Sequence, residues 1–325
     1  MKKDSFDFVA HEPMRLDLFL SIKMGHSRSQ VATLIEKEGV LVDGTLLKKS
    51  GFKLKLDQKV VVNTPEVSSS KPKEIEFDVE IIYEDDDILV LNKPSDLVVH
   101  DAPSVKQNTL VDWLKYKGIS LSTLSGEERH GIVHRLDRGT SGILAVAKNN
   151  TAHALISKQL QDRSVGRYYL CVIAPPLKDD MITVEKAIAR DSKNRLKMSV
   201  SGSDGRYAKS SFRVLAYSND EKEQLIACKL FTGRTHQIRV HLESLGREIV
   251  GERLYKTLQK STKSERILLH AYELEFEHPT TKQRLLFSAG LDEYMREYIY
   301  SRFDKERVDE VLKNGAIWRY FSESA

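Results

Sequence analysis

The sequence has few cysteines and no long hydrophobic segment. Its only two cysteines, Cys171 and Cys228, lack CxxC spacing in a chain of 325 residues, which argues against a disulfide framework or a zinc site and favours a reducing compartment. No run of about 18 apolar residues is present, so no transmembrane helix is predicted. The N-terminal lysines have no apolar stretch behind them, so we expect no signal peptide and a cytoplasmic location.

Nucleotide-binding and metal-binding motifs are missing as well. The sequence contains no GxxxxGK[ST], GxGxxG or HExxH pattern. His236 and His241 lie five positions apart, which is not the i, i+4 spacing of one helical face, and no acid or cysteine accompanies them at zinc-finger spacing. We therefore expect no cofactor and no metal ion.

The net charge is small, and its distribution is more informative than its size. There are 51 Lys and Arg against 47 Asp and Glu, which gives +4. Between Lys23 and Lys59, eight Lys and Arg accompany four acids, a local excess of 8 − 4 = +4. Such clustering favours RNA phosphates, although a solvated surface would show the same composition. The candidate RNA contacts are Arg15, Arg28, Lys37, Lys48 and Lys49, with Arg195 and Lys197 from a second basic segment that we predict to be a protruding hairpin or loop.

A segment rich in proline and serine divides the chain. Residues 65–75 have no apolar periodicity and are predicted to be a linker. Before it, residues 13–64 suggest two helices, the second ended by Gly39, and short strands that include residues 54–56 and 60–62. After it, residues 76–325 suggest strands at 80–91, 143–147, 168–173, 208–217, 223–230 and 274–276, and helices at 110–117, 152–161, 236–244 and 293–303. The pattern predicts an α+β fold with a mixed, largely antiparallel sheet, flanking helices, a central cleft and a helical C-terminal extension from about residue 291.

The densest polar run is His134-Arg135-Leu136-Asp137-Arg138-Gly139-Thr140-Ser141-Gly142, which leads directly into an apolar strand. It places one carboxylate between two arginines in a loop at a strand end, where functional groups concentrate. The neighbouring cations favour the ionised carboxylate, which can then act as a nucleophile or a base. An ordinary ion-paired turn would have the same residues, so the pattern by itself leaves both interpretations open.

This run resembles the signature of the RluA-type RNA pseudouridine synthases, in which the aspartate of HRLD is catalytic. Further segments resemble the family's other motifs in the expected order: Asn92-Lys93-Pro94 with Val99-His100, Arg167-Tyr168-Tyr169-Leu170, Gly233-Arg234-Thr235-His236-Gln237-Ile238-Arg239, and Leu269-His270-Ala271. The resemblance extends from about residue 80 to 290. The N-terminal unit, residues 13–64, is similar to an S4 RNA-binding domain through the runs RLDLFL and SRSQVATLIEKEGVLVDG.

The resemblance implies an isomerase that flips a uridine out of RNA and converts it to pseudouridine without a cofactor. It implies that Asp137 is the catalytic carboxylate, that Arg239 orients it, and that Tyr169 packs against the base and shuttles the C5 proton. Whether Asp137 attacks C1′ or removes a ribose proton stays open. Arg135 would fill the space left by the flipped base or bind a phosphate. The other substrate-binding candidates are His134, Arg138, Thr140, Arg234, His236, Gln237, Lys93 and His100.

An S4 unit joined to this catalytic domain resembles the synthases of 23S (large-subunit) ribosomal RNA, with transfer RNA as the alternative substrate. Two other functions remain open from the residues: a non-catalytic RNA-binding protein of ribosome assembly, and a hydrolase that uses Asp137 with His134 or His236. Asp96 and Arg247-Glu248 depart from the family pattern, which puts loop conformation and substrate choice in doubt. We expect a monomer without an obligate protein partner and without membrane attachment.

Overall fold

A computed structural model of the protein describes residues 5–24, 28–63, 75–100, 105, 107–124, 130–202, 204–255, 264–313 and 317–321. Nearly all of the predicted linker lies outside the described residues. Among the described helices, none is long and apolar enough to cross a membrane.

The N-terminal unit is a four-stranded antiparallel sheet with two helices. The strand order is β1-β4-β2-β3. Its core contains Leu16, Leu20, Val31 and Ile35 from the helices, all with no exposed surface. The elements are β1 Ser5–Val9, α1 Leu16–Met24, α2 Arg28–Lys37, β2 Val40–Val42, β3 Thr45–Leu47 and β4 Lys59–Asn63.

The remainder is built on a ten-stranded sheet with the order β5-β6-β7-β15-β8-β13-β12-β9, with β14 paired to β8 and β16 paired to β15. The strands are β5 Glu80–Glu84, β6 Ile88–Lys93, β7 Ser141–Ala147, β8 Gly166–Ala174, β9 Met181–Glu185, β12 Lys209–Tyr217, β13 Gln224–Leu230, β14 Glu248–Ile249, β15 Leu269–Glu277 and β16 Arg284–Ser288. Strands β10 Ile188–Arg190 and β11 Met198–Val200 form a separate hairpin. The helices are α3 Leu110–Tyr116, α4 Asn150–Asp162, α5 Gln237–Glu243, α6 Glu293–Arg302 and α7 Lys305–Val311, before a final 3₁₀ turn Trp318–Phe321. The predicted α+β fold with a largely antiparallel sheet is confirmed.

Strand β8 lies at the centre of the sheet and is covered on both faces. Tyr169 and Cys171 belong to the larger hydrophobic core, whereas Leu170 and Val172 belong to a second core. Residues of α6 and α7 complete that second core, so the predicted helical extension covers one face of the sheet. Because side chains alternate along a strand, Tyr169 points to the opposite face.

One pair of strands departs from the antiparallel pattern. Strands β7 and β15 run parallel, with Ser141 opposite His270 and Gly142 opposite Ala271. Gly142 has a φ of +110°, and a Cβ atom there would lie 2.1 Å from the carbonyl oxygen of Ala271. Only glycine fits this approach, which explains the last residue of the HRLDRGTSG run.

The structure corrects two predicted strands. The strand expected at 80–91 is a hairpin, because the side chain of Asp85 accepts hydrogen bonds from the backbone N–H groups of Asp87 and Ile88 and turns the chain. Residues 54–56 are not a strand: Leu54 is buried in the N-terminal core and Leu56 is 58% exposed.

Candidate active site

A cleft lies where the HRLDRGTSG loop, strand β8 and the start of α5 meet. It encloses about 590 Å³. Asp137, Tyr169 and Arg239 all line it, although they come from three distant segments of the sequence. The sheet therefore brings the three predicted catalytic residues to one cavity.

Asp137 stands between two basic side chains of the α5 region. Its Oδ2 lies 3.6 Å from Nη1 of Arg239 and 3.9 Å from Nε2 of His236. The two arginines that flank it in sequence point elsewhere: Arg138 pairs with Asp96, at 3.7 Å, and Nη1 of Arg135 lies 3.3 Å from Nε2 of His100. The cation beside Asp137 is thus supplied by tertiary structure, and the sequence-based expectation of flanking arginines was wrong on this point.

Arg239 is held in place by a carboxylate that the sequence analysis did not identify. Its Nε and Nη2 donate to the two oxygens of Glu252, at 2.6 Å and 2.8 Å. Its guanidinium also lies over the ring of Tyr255, with 4.9 Å to the ring centre. Burial opposes the charge of Arg239, but Glu252 and Asp137 outweigh it and raise the pKa of the guanidinium. Glu252 lies 13 residues after Arg239 and outside the quoted motifs, so its role becomes visible only in the structure.

Tyr255 connects the second basic neighbour of Asp137 to the same network. A hydrogen bond of 2.6 Å joins its hydroxyl to Nδ1 of His236, and the backbone N–H of Met198 donates to the hydroxyl at 2.8 Å. His236 adopts a left-handed conformation, with φ 57°, at the start of α5. Burial lowers the pKa of His236, so the neutral imidazole is favoured next to Asp137.

Two side chains, that of the buried Lys93 and that of the partly buried His134, fix the loop that carries Asp137. Nζ of Lys93 donates to the carbonyls of Pro94 and Leu97, both at 2.8 Å, and to that of Arg138 at 3.4 Å. Nε2 of His134 accepts from the N–H of Ala145 at 3.0 Å. Burial lowers the pKa of Lys93 to about 7 and that of His134 to about 3. Both groups contact the protein's own backbone within the described residues.

Tyr169 lines the cavity from strand β8. It is 7% exposed, and burial raises the pKa of its hydroxyl to about 12, with Arg167 opposing and Asp137 adding to the shift. The neutral phenol therefore predominates at physiological pH. It can donate or relay a proton without carrying charge.

The other predicted substrate-binding residues are divided between the cavity and the framework. Thr140 is buried at the end of the loop, where its N–H bonds the carbonyl of Asp137 at 3.1 Å. Nε of Arg234 donates to the carbonyl of Tyr207 at 3.0 Å. Gln237 is buried, and its amide bonds Thr232, Lys209, Ser210 and the N–H of Arg234. Gln237 thus holds the turn that precedes α5.

The predicted RNA contacts lie at the protein surface where they are described. Arg15 and Arg28 converge on Asp17, at 2.8 Å and 3.2 Å, and chiefly the hydrogen bond from Arg15 lowers the pKa of Asp17 to about 2. Lys48 and Lys49 are exposed, whereas the side chain of Lys37 is outside the described residues. In the β10–β11 hairpin, Arg195 is exposed. Nζ of Lys197 lies 5.5 Å from the ring centre of Tyr255, so the predicted basic hairpin contacts the tyrosine that bonds His236.

No group of three or more His, Cys, Asp or Glu side chains suited to a metal ion occurs in the part of the chain that the structure describes. The predicted absence of a metal site rests on the sequence.

Comparisons with known proteins identify the family of this chain. The family model described as RNA pseudouridylate synthase matches residues 87–244, and the S4 domain model matches residues 14–60. An uncharacterized RNA pseudouridine synthase of Helicobacter pylori is 46% identical over 314 residues, which cover 94% of this chain and 95% of the relative. Ribosomal large subunit pseudouridine synthase D of Zymomonas mobilis is 37% identical, with 83% of this chain and 87% of the relative covered.

A solved structure gives the same result. Human RNA Pseudouridylate Synthase Domain Containing 1 superimposes with a TM-score of 0.57 at 25% identity, over 73% of this chain and 95% of the human chain. The chain therefore belongs to the RluA-type RNA pseudouridine synthases that carry an N-terminal S4 domain, and it is an isomerase that converts uridine to pseudouridine in RNA.

Proposed function

We propose that this enzyme modifies uridines of 23S ribosomal RNA in the cytoplasm, with Asp137 as its catalytic carboxylate. Three relatives at 34–37% identity bear the name ribosomal large subunit pseudouridine synthase D, which supports the substrate. The observation that carries the catalytic assignment is the place of Asp137, in the cleft and 3.6 Å from Arg239.

The reaction breaks the bond between ribose C1′ and N1 of the base and joins C1′ to C5. The C5 proton then leaves and N1 gains a proton, so the product is an isomer of uridine. The target base must first leave its stack and enter the cavity. Asp137 then attacks C1′ or removes a ribose proton. In either case Arg239 holds the carboxylate in its reactive orientation, and Glu252 holds Arg239.

Tyr169 packs against the base and its neutral hydroxyl relays the C5 proton. His236 also lies beside Asp137. Its neutral imidazole adds no second positive charge next to the carboxylate. Arg135, exposed at the mouth of the cavity, fills the space that the base leaves or binds a phosphate beside it. His134, Lys93 and Gln237 act on this site through the backbone they hold.

We propose the domain arrangement 13–64, linker 65–75 and 76–325. The S4 unit binds RNA phosphates through its exposed lysines and arginines, and so brings the catalytic domain to its substrate.

The test is pseudouridine mapping by carbodiimide labelling and primer extension in cells that lack the gene. The gene is restored as wild type, as Asp137→Asn, or as Asp179→Asn, a control that makes the same change at an exposed acid. We expect specific sites in 23S RNA to disappear on deletion and to return with wild type and the control only. Return of these sites with Asp137→Asn refutes the catalytic assignment, and loss confined to transfer RNA refutes the substrate.

A further inference from the structure

Four arginines gather at one end of the cavity, beside Tyr169. They come from the end of α4, strand β8, the segment before β12 and the turn before α5. All four line the cavity, and they are Arg163, Arg167, Arg206 and Arg234. We refer to them as the arginine cluster.

Arg167 forms the floor of the cluster. Arg167 is only 8% exposed, and its Nε makes no hydrogen bond with any described residue. It lies two residues before Tyr169 on the same face of β8. Gly233 leaves room for it, because a Cβ at that position would lie 2.6 Å from Nη1 of Arg167. The fold therefore buries this guanidinium beside Tyr169 without a hydrogen-bond partner for its Nε among the described residues.

The other three arginines line the same end of the cavity, and two of them, Arg163 and Arg234, contact Tyr207. The guanidinium of Arg163 lies over the ring of Tyr207, with 5.0 Å to the ring centre, and Arg234 donates to the carbonyl of Tyr207. After burial, the charges of Arg206, Arg163 and Arg167 lower the pKa of Arg234, in that order. Four cations are thus close enough to repel one another.

The cluster lacks neutralising anions in the described part of the chain. No described carboxylate forms an ion pair with any of its four members; the nearby Glu185 pairs with Lys209 and accepts from the hydroxyl of Tyr207. Burying a cation without a partner is unfavourable, and Arg keeps its charge even when buried. The arrangement becomes favourable when an anion enters, and the planar guanidinium binds two oxygens of a phosphate at once.

We propose that the arginine cluster is a binding site for a backbone phosphodiester of the RNA strand that carries the target uridine. The phosphate sits over Arg167 and between the three outer arginines, while the flipped base lies against Tyr169. This inference rests on the proposed function for the identity of the RNA. It adds a site that binds the RNA backbone next to the extruded nucleotide.

The experiment measures RNA affinity in the full-length Asp137→Asn protein, so that turnover does not interfere. Arg167→Met removes the buried charge and keeps the side-chain length. Arg296→Met makes the same change on the exposed face of α6, away from the cavity, as the matched control. Binding of an unmodified 23S RNA transcript is recorded over a series of KCl concentrations. We expect Arg167→Met to weaken binding about tenfold and to reduce the salt slope by about 0.7, the value for one phosphate on a single strand, with no change in the control.

A second readout excludes a structural cause. Because Arg167 is buried and no described carboxylate pairs with it, Arg167→Met should unfold at the same temperature as its parent or a higher one. A lower melting temperature together with the binding loss would indicate that Arg167 supports the fold, and would overturn the proposal. An unchanged affinity and salt slope would overturn it as well.

Inorganic phosphate distinguishes RNA from a free anion. At constant ionic strength it should compete with RNA for the Asp137→Asn protein and compete less after Arg167→Met. If phosphate raises the melting temperature but Arg167→Met binds RNA normally, the site takes a free anion and the proposal fails. Activity of the protein without the Asp137→Asn change is measured separately. If that protein leaves every uridine unchanged, the proposed function fails while the binding data still decide the phosphate site.

Discussion

Replacing Glu252 by Gln should disable the enzyme without weakening its hold on RNA. Glu252 is 5% exposed and makes two hydrogen bonds to Arg239, at 2.6 Å and 2.8 Å, while the N–H of Leu254 donates to it at 2.7 Å. The glutamine keeps the size of the side chain and one oxygen, but removes the charge and one acceptor. Arg239 then has Asp137 as its remaining carboxylate partner and is drawn towards it.

The size of the effect follows from the burial of the pair. Breaking a buried ion pair by removing one partner costs about 3–5 kcal/mol, and the retained amide oxygen should keep the loss in unfolding free energy near the lower end of that range. For catalysis, a shift of about 1 Å in a positioning group costs roughly a hundredfold in rate. We therefore expect kcat to fall about a hundredfold.

The assay is release of tritium from C5-labelled uridine in an RNA transcript under single-turnover conditions, together with RNA binding and urea unfolding. Glu252→Asp keeps the charge but shortens the side chain by one methylene, so it should restore only part of the rate. Glu293→Gln, an exposed acid on α6, serves as the matched control. A Glu252→Gln enzyme that is folded and keeps the wild-type rate would refute the reasoning, as would a loss expressed only in RNA affinity.

Three further predictions concern the fold and the N-terminal unit. Gly142→Ala should cost more than about 3 kcal/mol in unfolding free energy, because β7 and β15 must separate, whereas Gly118→Ala, at a φ of +66° with open space around it, should cost about 1 kcal/mol in the same urea titration. His270 is fully buried and burial lowers its pKa to about 4. As the pH falls, its imidazole therefore takes up a proton in the unfolded chain before it does so in the folded protein. Stability should fall by about 2 kcal/mol between pH 7 and pH 5 through this residue, and a His270→Gln variant with no smaller pH dependence would contradict this. Removing residues 1–64 should weaken RNA binding and flatten its salt dependence; an unchanged salt slope would exclude phosphate contacts in that unit.

The sequence predicted the family, the fold class and the segments that form the cavity because each of these is expressed in local patterns. Asp137, Tyr169 and Arg239 sit in separate runs that could be recognised one by one, and the structure places them around one space. Their catalytic roles remain predictions, of which Asp137→Asn tests the first directly.

The partners of these residues could not be predicted, because they depend on contacts between distant segments. Arg138 is adjacent to Asp137 in sequence, yet it pairs with Asp96, while the cation beside Asp137 comes from about a hundred residues further along the chain. Arg167 was recognised only as part of a strand motif. Its lack of a partner becomes visible only when the surrounding strands and turns are in place.

The hydrogen bonds from Lys93 to the loop of Asp137 affect how the enzyme selects among uridines. Nζ of Lys93 donates to three carbonyls, including that of Arg138, and so holds the acid in one position before RNA arrives. The energetic cost of reaching the reactive arrangement then falls on the nucleic acid, which must open and distort to deliver its base. Two uridines in the same sequence context should therefore react at different rates if one lies in a poorly stacked region and the other in a stable helix. Mutations in the RNA that destabilise a helix should create new modification sites without any change in the protein.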